Sequence, residues 1–321
     1  MRTFVIVYCE GMDPLAHFLG GPRATRAFAM MMEMSGAWAV DVRDGAALTV
    51  VAVVTGGARV DGDLLAAGDV ALVRGPEPYV VSDAAGSAPT IEVAPGQRCR
   101  TLDGRDLREE LGRGVRRWGN AAQGETSVLV GTYDRPDDVG GLVVQALPRV
   151  AVVRRDQADT AVVDLLAREI SQEGAAGQVV VDRLLDVLVV STARQWSTDP
   201  VRDGVQTWLA CTDPIVVRAL EHLHAEPAAP WTVESLARRV NASRASLAAR
   251  FRAGVGQSPM AYLARWRLTL AGDLLLAPDV TVAAVARSVG YENPYAFSTA
   301  FKRHVGTTPT EFRRRHPVLA A

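Results

Sequence analysis

Two hydrophobic periods divide the chain. Between residue 36 and about 152, short apolar stretches at 38–42, 48–55, 59–60, 70–73, 79–81 and 127–130 alternate with Gly, Asp and Pro clusters. Strands this short, with turn signals between them, predict an all-β sandwich or barrel. Asp61-Gly62 and Gly68-Asp69 mark two hairpin-like reversals. Ahead of this region, 12–35 reads as a helix carrying Leu15, Phe18, Leu19 and then 27–34, interrupted near Gly20-Gly21-Pro22. The polar stretch 103–125 reads as helix or loop at the edge of the β region.

After Arg155 the period becomes helical. Ala161, Val162, Leu165, Leu166 and Ile170 fall on one stripe, and Leu184, Leu185, Leu188 and Val189 form another. Amphipathicity leaves the partner of these stripes open: they cover the β region, or part of them packs against a second subunit. Asp199-Pro200 to Gly204 breaks the pattern, and a new domain opens near Asp213-Pro214. The expected class is α+β, with a β domain over 1–152, a helical connector over 153–212 that is a candidate dimerisation element, and an all-α domain over 213–321.

The all-α part contains an internal duplication. Residues 232–240 match 281–289 at an offset of 49, and Leu247, Phe251, Val255, Gly256 and Pro259 match Phe297, Phe301, Val305, Gly306 and Pro309 at an offset of 50. Nine of the 28 residues in 232–259 equal their mates, so one supersecondary unit is used twice. Each copy reads as helix–turn–helix. Thr232 and Thr281 cap the first helices, whose inner residues are Leu236, Ala237 and Val240, and Val285, Ala286 and Val289. Ser243 and Asn293 cap the second helices, with Pro294 at the first position of its helix, where a missing N–H costs nothing. Leu247 with Phe251, and Phe297 with Phe301, anchor these helices at i and i+4. Between the copies, 259–276 reads as one helix of 18 residues with Leu263, Trp266, Leu270 and Leu274 buried. At 1.5 Å per residue it is about 27 Å long, enough to hold two recognition helices about one turn of DNA apart.

With the anchors inward, the first recognition helix presents Ala245, Ala249 and Arg252, flanked by Ser246 and Ala248. The second presents Tyr295, Thr299 and Lys302, flanked by Ala296 and Ser298. Arg244, Arg250, Arg303 and Arg313-Arg314-Arg315 are placed for phosphates, which add affinity without sequence choice. Repetition of a basic face on two matched helices points to double-stranded DNA.

Charge sharpens this division. Over 321 residues the net charge is −1, yet 1–214 carries 21 basic and 29 acidic residues, net −8, while 215–321 carries 14 and 7, net +7. A 48% hydrophobic, 22% charged composition can bury the cores of two domains. Three cysteines without close spacing, Cys9, Cys99 and Cys211, exclude a disulfide framework and a Cys-rich zinc module. The opening apolar stretch is too short for a signal peptide, and runs such as 46–54 fall short of the roughly 20 residues that span a bilayer. A cytoplasmic protein is expected.

The residues Trp231-Thr-Val-Glu-Ser-Leu-Ala, Ser243-Arg, Phe251, Val255-Gly-Gln-Ser-Pro-Met-Ala-Tyr-Leu263, Trp266-Arg267, Val289-Gly-Tyr, Ala-Phe297, Ala-Phe301-Lys-Arg, Gly306, Pro309 and Phe312-Arg313 resemble the AraC/XylS transcription regulators over about 100 residues. Leu65-Ala-Ala-Gly-Asp-Val70 and Ala210-Cys-Thr-Asp-Pro214 resemble the subgroup with an N-terminal cupin-like sensor. The resemblance implies a one-component activator or repressor on promoter DNA, a homodimer with a small-molecule effector, and RNA polymerase as partner where it activates. It implies neither an enzyme nor a cofactor. The chain departs from its relatives at Ala249 and Thr299, where many carry arginine. Methyl contacts or shape readout then replace hydrogen bonds in the first copy, and Tyr295 and Thr299 carry more discrimination than Ala245 and Ala249.

Metal chemistry in a cupin needs clustered His and carboxylates. Residues 36–152 contain no histidine, and Tyr79 stands where relatives of the subgroup often show one. That speaks against a metallo-cupin dioxygenase or isomerase. His222 and His224, two apart on a helix, point to different faces. Trp38, Tyr79 and Trp118 are candidates for an apolar effector pocket or simply for core. Two alternatives stay open: a degenerate cupin domain that binds a partner protein, and redox sensing through Cys9 and Cys99.

Overall fold

The computed structural model describes residues 28–134, 144, 146–172, 177–198, 208–277 and 280–315. Described residues up to Thr198 fall in one compact unit and those from Trp208 in another.

The first unit is a pair of six-stranded sheets. Its strands are β1 (Phe28–Met34), β2 (Ala39–Val42), β3 (Leu48–Thr55), β4 (Gly57–Val60), β5 (Asp63–Ala66), β6 (Val70–Arg74), β7 (Tyr79–Asp83), β8 (Ile91–Ala94), β9 (Arg98–Thr101), β10 (Arg117–Gly119), β11 (Thr126–Tyr133) and β12 (Val150–Val153). One sheet runs β10-β1-β11-β3-β6-β12 and the other β5-β4-β7-β2-β8-β9. Neighbours are antiparallel except β1 with β10 and β2 with β8. The core lies between the sheets, where Met32, Met34, Val51, Val53 and Ala71 of the first meet Val40, Val60, Val81 and Val93 of the second. The expected β domain is therefore a cupin-type sandwich with open sheet ends rather than a closed barrel.

Two helices cover the outer face of the first sheet: α2 (Thr160–Ile170) touches β1 and β3, and α3 (Gly177–Thr198) touches β6 and β12. Strand β3 is consequently buried on both faces, Val51 and Val53 toward the other sheet and Val50 and Ala52 toward the helices. Burial on both sides explains why it reads as an unbroken apolar run instead of an alternation. Gly131 on β11 lets α3 approach, since a Cβ there would overlap the Leu185 side chain.

The expected stripe on α2 is turned from its true position. Val163, Leu166 and Ile170 are buried, while Ala161 and Leu165 are exposed. The apolar arc is wider than the contact, and packing on the sheet selects i, i+3 and i+7. On α3, Leu185, Leu188 and Val189 are buried as expected and Leu184 is half-buried.

A second correction concerns 28–34. Expected in a helix, this segment is β1, paired with β11 from Phe28 opposite Thr132 to Met34 opposite Thr126. Its run of methionines lacks β-branched residues, so local propensity reads helix and the long-range partner overrides it. Residues 12–27 lie outside the described ones. Within 103–125, a single-turn helix α1 (Arg108–Leu111) and the strand β10 stand where helix or loop was expected. Buried Glu33 of β1 holds this corner, accepting from Arg117 (3.0 Å), Ser127 Oγ (2.6 Å) and Gly124 N (3.1 Å).

Asp61 (φ 47°) and Gly62 (φ 92°) close the β4–β5 hairpin, both in the left-handed region that a two-residue turn demands. The second reversal, at Gly68-Asp69, carries the chain from one sheet to the other and is a crossover rather than a hairpin.

The second unit is helical: α4 (Pro214–Ala225), α5 (Val233–Arg239), α6 (Arg244–Val255), α7 (Pro259–Leu275), α8 (Val282–Ser288), α9 (Pro294–Val305) and α10 (Pro309–Arg315). Leu236, Ala237, Val240, Leu247 and Phe251 form one core, and Val285, Ala286, Val289, Phe297 and Phe301 its counterpart. Between them α7 buries Tyr262, Leu263, Trp266, Leu270 and Leu275. The expected Leu274 is only half-buried, one position off the packed row. His224 sits inside this core with Nε2 2.6 Å from the Tyr262 hydroxyl, while His222, half-buried, lies beside the ring of Trp231.

Candidate nucleic-acid interface

The two helix–turn–helix units repeat at the level of individual backbone atoms. Thr232 Oγ1 accepts from Ser235 N (3.0 Å) and Thr281 Oγ1 from Ala284 N (3.1 Å). In the turns, Asn241 (φ 55°) and Gly290 (φ 82°) take the same left-handed conformation. Ala242 N then reaches Ala237 O (2.9 Å), and Tyr291 N reaches Ala286 O (2.8 Å). Ser243 Oγ caps α6 through Ser246 N (3.2 Å), and Asn293 Oδ1 caps α9 through Tyr295 N (2.8 Å) and Ala296 N (3.4 Å). Both helices end on a left-handed glycine, Gly256 and Gly306.

On α6 the residues Arg244, Ala245, Ala249, Arg250 and Arg252 are exposed, with Ser246 and Ala248 half-buried beside them. On α9 the exposed set is Tyr295, Ala296, Thr299, Lys302 and Arg303, with Pro294 and Ser298 half-buried. Tyr295 is 85% exposed. The Ser298 hydroxyl donates to Pro294 O (2.9 Å), so its polar atom serves the helix.

Two of the expected phosphate arginines have partners within the protein. Arg250 donates to Asp213 Oδ2 at 2.9 Å, and Asp213 also caps α4 by accepting from Ile215 N and Val216 N. Desolvation works against the Asp213 carboxylate, but Arg250 and the two N–H groups outweigh it and its pKa falls below the ordinary value. Arg313 is a correction. Its guanidinium donates to Leu275 O (2.9 Å) and Val280 O (2.6 Å), closing the chain between α7 and α8, and so it serves the fold instead of a phosphate. Arg314 is exposed; the Arg315 side chain lies outside the described ones.

Sequence reasoning named Arg267 only within the Trp266-Arg267 pair and gave it no role; it binds backbone carbonyls of both helix–turn–helix units. An arginine directly after buried Trp266 on a buried helix was the available signal.

In the first unit Trp38, Tyr79 and Trp118 all belong to the core cluster between the sheets, 4%, 5% and 8% exposed. Burial pushes the Tyr79 hydroxyl well above its ordinary pKa, and Thr49 is its hydrogen-bond partner. Cys99 and Cys211 are free, half-buried thiols, both pushed up by desolvation and so held protonated. Cys9 lies outside the described residues. Among the described residues no helix is long and apolar enough to cross a membrane.

A sandwich domain joined in sequence to paired helix–turn–helix units with exposed basic faces defines a DNA-binding regulator of transcription. Comparison with known proteins agrees. The family model described as "Cupin" matches residues 13–198, and "Helix-turn-helix domain" matches 236–315. A "Putative AraC-like transcription regulator" of Streptomyces antibioticus is 32% identical over 319 residues, covering 96% of this chain and 100% of that protein. Its namesake in Streptomyces lividans is 31% identical over 320 residues, with the same coverage of 96% and 100%. Among solved structures, the DNA-binding domain of AdpA, "the global transcriptional factor, in complex with a target DNA", is 36% identical. That match covers 32% of this chain and 87% of the AdpA chain, with a TM-score of 0.28. The chain belongs to the AraC-like family of transcription regulators: it binds promoter DNA through its C-terminal unit and is a regulator, not an enzyme.

Proposed function

We propose that the chain is a cytoplasmic one-component regulator whose helices α6 and α9 enter two major-groove segments about one helical turn apart. The observation that carries this reading is the repeated exposed face, matched cap for cap on two helices. Tyr295 and Thr299 discriminate bases, while Ala245, Ala248 and Ala249 meet thymine methyls or follow groove shape. Arg252 and Lys302 stand on the same base-facing sides, Arg244, Arg303 and Arg314 contact phosphates, and Arg250 joins these when it leaves Asp213. Ser243, Ser246, Asn293, Pro294, Ala296 and Ser298 line the first turns and rims of the same faces. Quantitative gel shifts of the full chain on a promoter duplex, substituted base by base in both half-sites and repeated over a salt series, test this. Affinity should fall linearly in log–log with salt, and substitutions should cost more in the α9 half-site. Greater sensitivity in the α6 half-site would refute the assignment.

The cupin unit is the regulatory part in this reading. An effector acts only through different affinities for two arrangements of the protein, and RNA polymerase is the further partner where transcription is activated. The core cluster of Trp38, Tyr79 and Trp118 is where a small apolar effector would be held. Support for a homodimer comes from Leu165, Val179, Val180 and Val187, which stay exposed on α2 and α3 after the inner stripes are buried. Sedimentation velocity of the full chain should show a dimer that Val180→Glu with Val187→Glu reduces to monomer.

A further inference from the structure

Arg267 lies in the middle of α7, the helix that joins the two helix–turn–helix units. Its Nε donates to Pro227 O at 2.7 Å and its Nη2 to Ala229 O at 2.8 Å, both in the segment between α4 and α5. Its Nη1 donates to Gly290 O at 3.4 Å, in the turn between α8 and α9. One planar guanidinium thus takes carbonyls from the entrance of the first unit and from the turn of the second. The same place holds a direct approach of the two backbones. A Cβ added to Gly290 would lie 2.8 Å from Ala228 O and 2.9 Å from both Ala228 Cα and Arg267 Nη2. Gly290 is at φ +82°, so the residue type is demanded twice, by conformation and by contact.

A single helix between two readers fixes their separation along its axis. It fixes their rotation about that axis less well, because each unit hangs on it through side chains. An off-axis tie supplies the missing restraint, and Arg267 with Gly290 is such a tie. On B-DNA that rotation matters, since two major-groove segments face the same side only when about one turn, roughly 10 bp, separates them, and each base pair off that spacing swings one segment about a tenth of a turn around the duplex. We propose that Arg267 is a positioning residue that sets the rotational phase of α6 and α9, and through it the spacing of the two DNA segments the protein accepts. This rests on the reading that both helices enter one duplex. The planar, fixed fork is what the geometry uses: a lysine offers one ammonium that cannot span the three carbonyls.

The test uses the full chain and a duplex that the wild-type protein selects from a random-sequence pool. The spacer between the two half-sites is then changed in steps of one base pair from two shorter to two longer, and Kd is measured for wild type, Arg267→Lys and Arg267→Ala. Thermal unfolding of each variant runs alongside. Wild type should lose about tenfold or more in affinity on leaving its best spacing, as geometry forbids simultaneous engagement. Arg267→Lys, which keeps the aliphatic stem packed, should fold and give a profile flattened to about threefold, with its best affinity reduced. Gly290→Ala should flatten the profile in the same way through the Ala228 clash. Variants that bind more weakly at every spacing but keep the wild-type profile would overturn the inference and leave Arg267 a stabilising residue only. A wild-type protein indifferent to spacing would overturn the two-helix reading itself.

Discussion

The two helix–turn–helix units repeat in backbone and diverge on the exposed face of the second helix. Caps, left-handed turn residues and terminal glycines recur at offsets of 49 and 50. The exposed faces share little: alanines flanked by arginines on α6, and Tyr295, Thr299 and Lys302 on α9. The lesson lies in what each position must satisfy. A cap has an orphan N–H to serve, and a turn residue has a positive φ to adopt, so few residue types answer either need. An exposed face carries no such demand from folding, and divergence there follows the partner. The interior has diverged too. Phe301 stacks edge-on to Phe312 and beside Phe297 at centroid distances of 5.5 and 5.6 Å, whereas Phe251 meets Tyr262 at 5.9 Å.

That comparison can be broken at several strengths. The largest effect is expected from the anchors: Phe251→Ala or Phe301→Ala should each cost about 3–5 kcal/mol by leaving a cavity under a recognition helix. If the units were fully independent, each loss would stay local; chemical denaturation with hydrogen exchange reads how far it spreads. Next comes Tyr295→Ala, which removes an exposed side chain. Stability should stay within about 0.5 kcal/mol of wild type, while discrimination in the α9 half-site should fall by about 1–3 kcal/mol. The mirror change Ala245→Tyr should add preference under α6, and selection from random duplexes would display it.

Smaller again are the charges. Arg244→Ala and Arg303→Ala should each reduce the slope of log affinity against log salt by about 1 and weaken all sequences alike. Equality of the two effects would show that the units share phosphate work although they differ in base reading. The smallest effect belongs to Asp213. Its folded pKa is depressed by Arg250 and two N–H groups, so the stability it contributes is present above the ordinary value of 3.8. As pH falls below that value and through the folded pKa, the contribution is lost. The second helix–turn–helix unit has Ala300 in place of Arg250, so acid should loosen the first of these units ahead of the second, visible in residue-resolved exchange as pH is taken below 3.8. Asp213→Asn keeps a cap and frees Arg250, and should raise DNA affinity a few-fold at low salt.

Much of the DNA-binding unit was legible because its determinants are local. Thr232, Ser243, Thr281 and Asn293 cap where their sequence context says, and Leu247, Phe251, Phe297 and Phe301 are fully buried at their i, i+4 spacing. The β region was legible in kind and not in connectivity. Asp61-Gly62 announced its hairpin, yet Phe28–Met34 concealed a strand, because its sheet partner lies about a hundred residues away on β11. The arginines show the same limit. Arg250, Arg267, Arg313 and Arg314 look alike in sequence, and only the position of an acceptor separates them: a carboxylate for Arg250, carbonyls for Arg267 and Arg313, solvent for Arg314.

By itself, then, the sequence determined the duplication, the caps, the helical and strand periods and the separation of an acidic body from a basic reader, since each depends on neighbours within a turn or two of the chain. Tertiary structure decided which apolar residues of α2 face the sheet, that 28–34 extends, and which guanidiniums are already engaged. Those outcomes turn on surfaces and acceptors brought together from distant parts of the chain, where burial and hydrogen-bond satisfaction outweigh local preference.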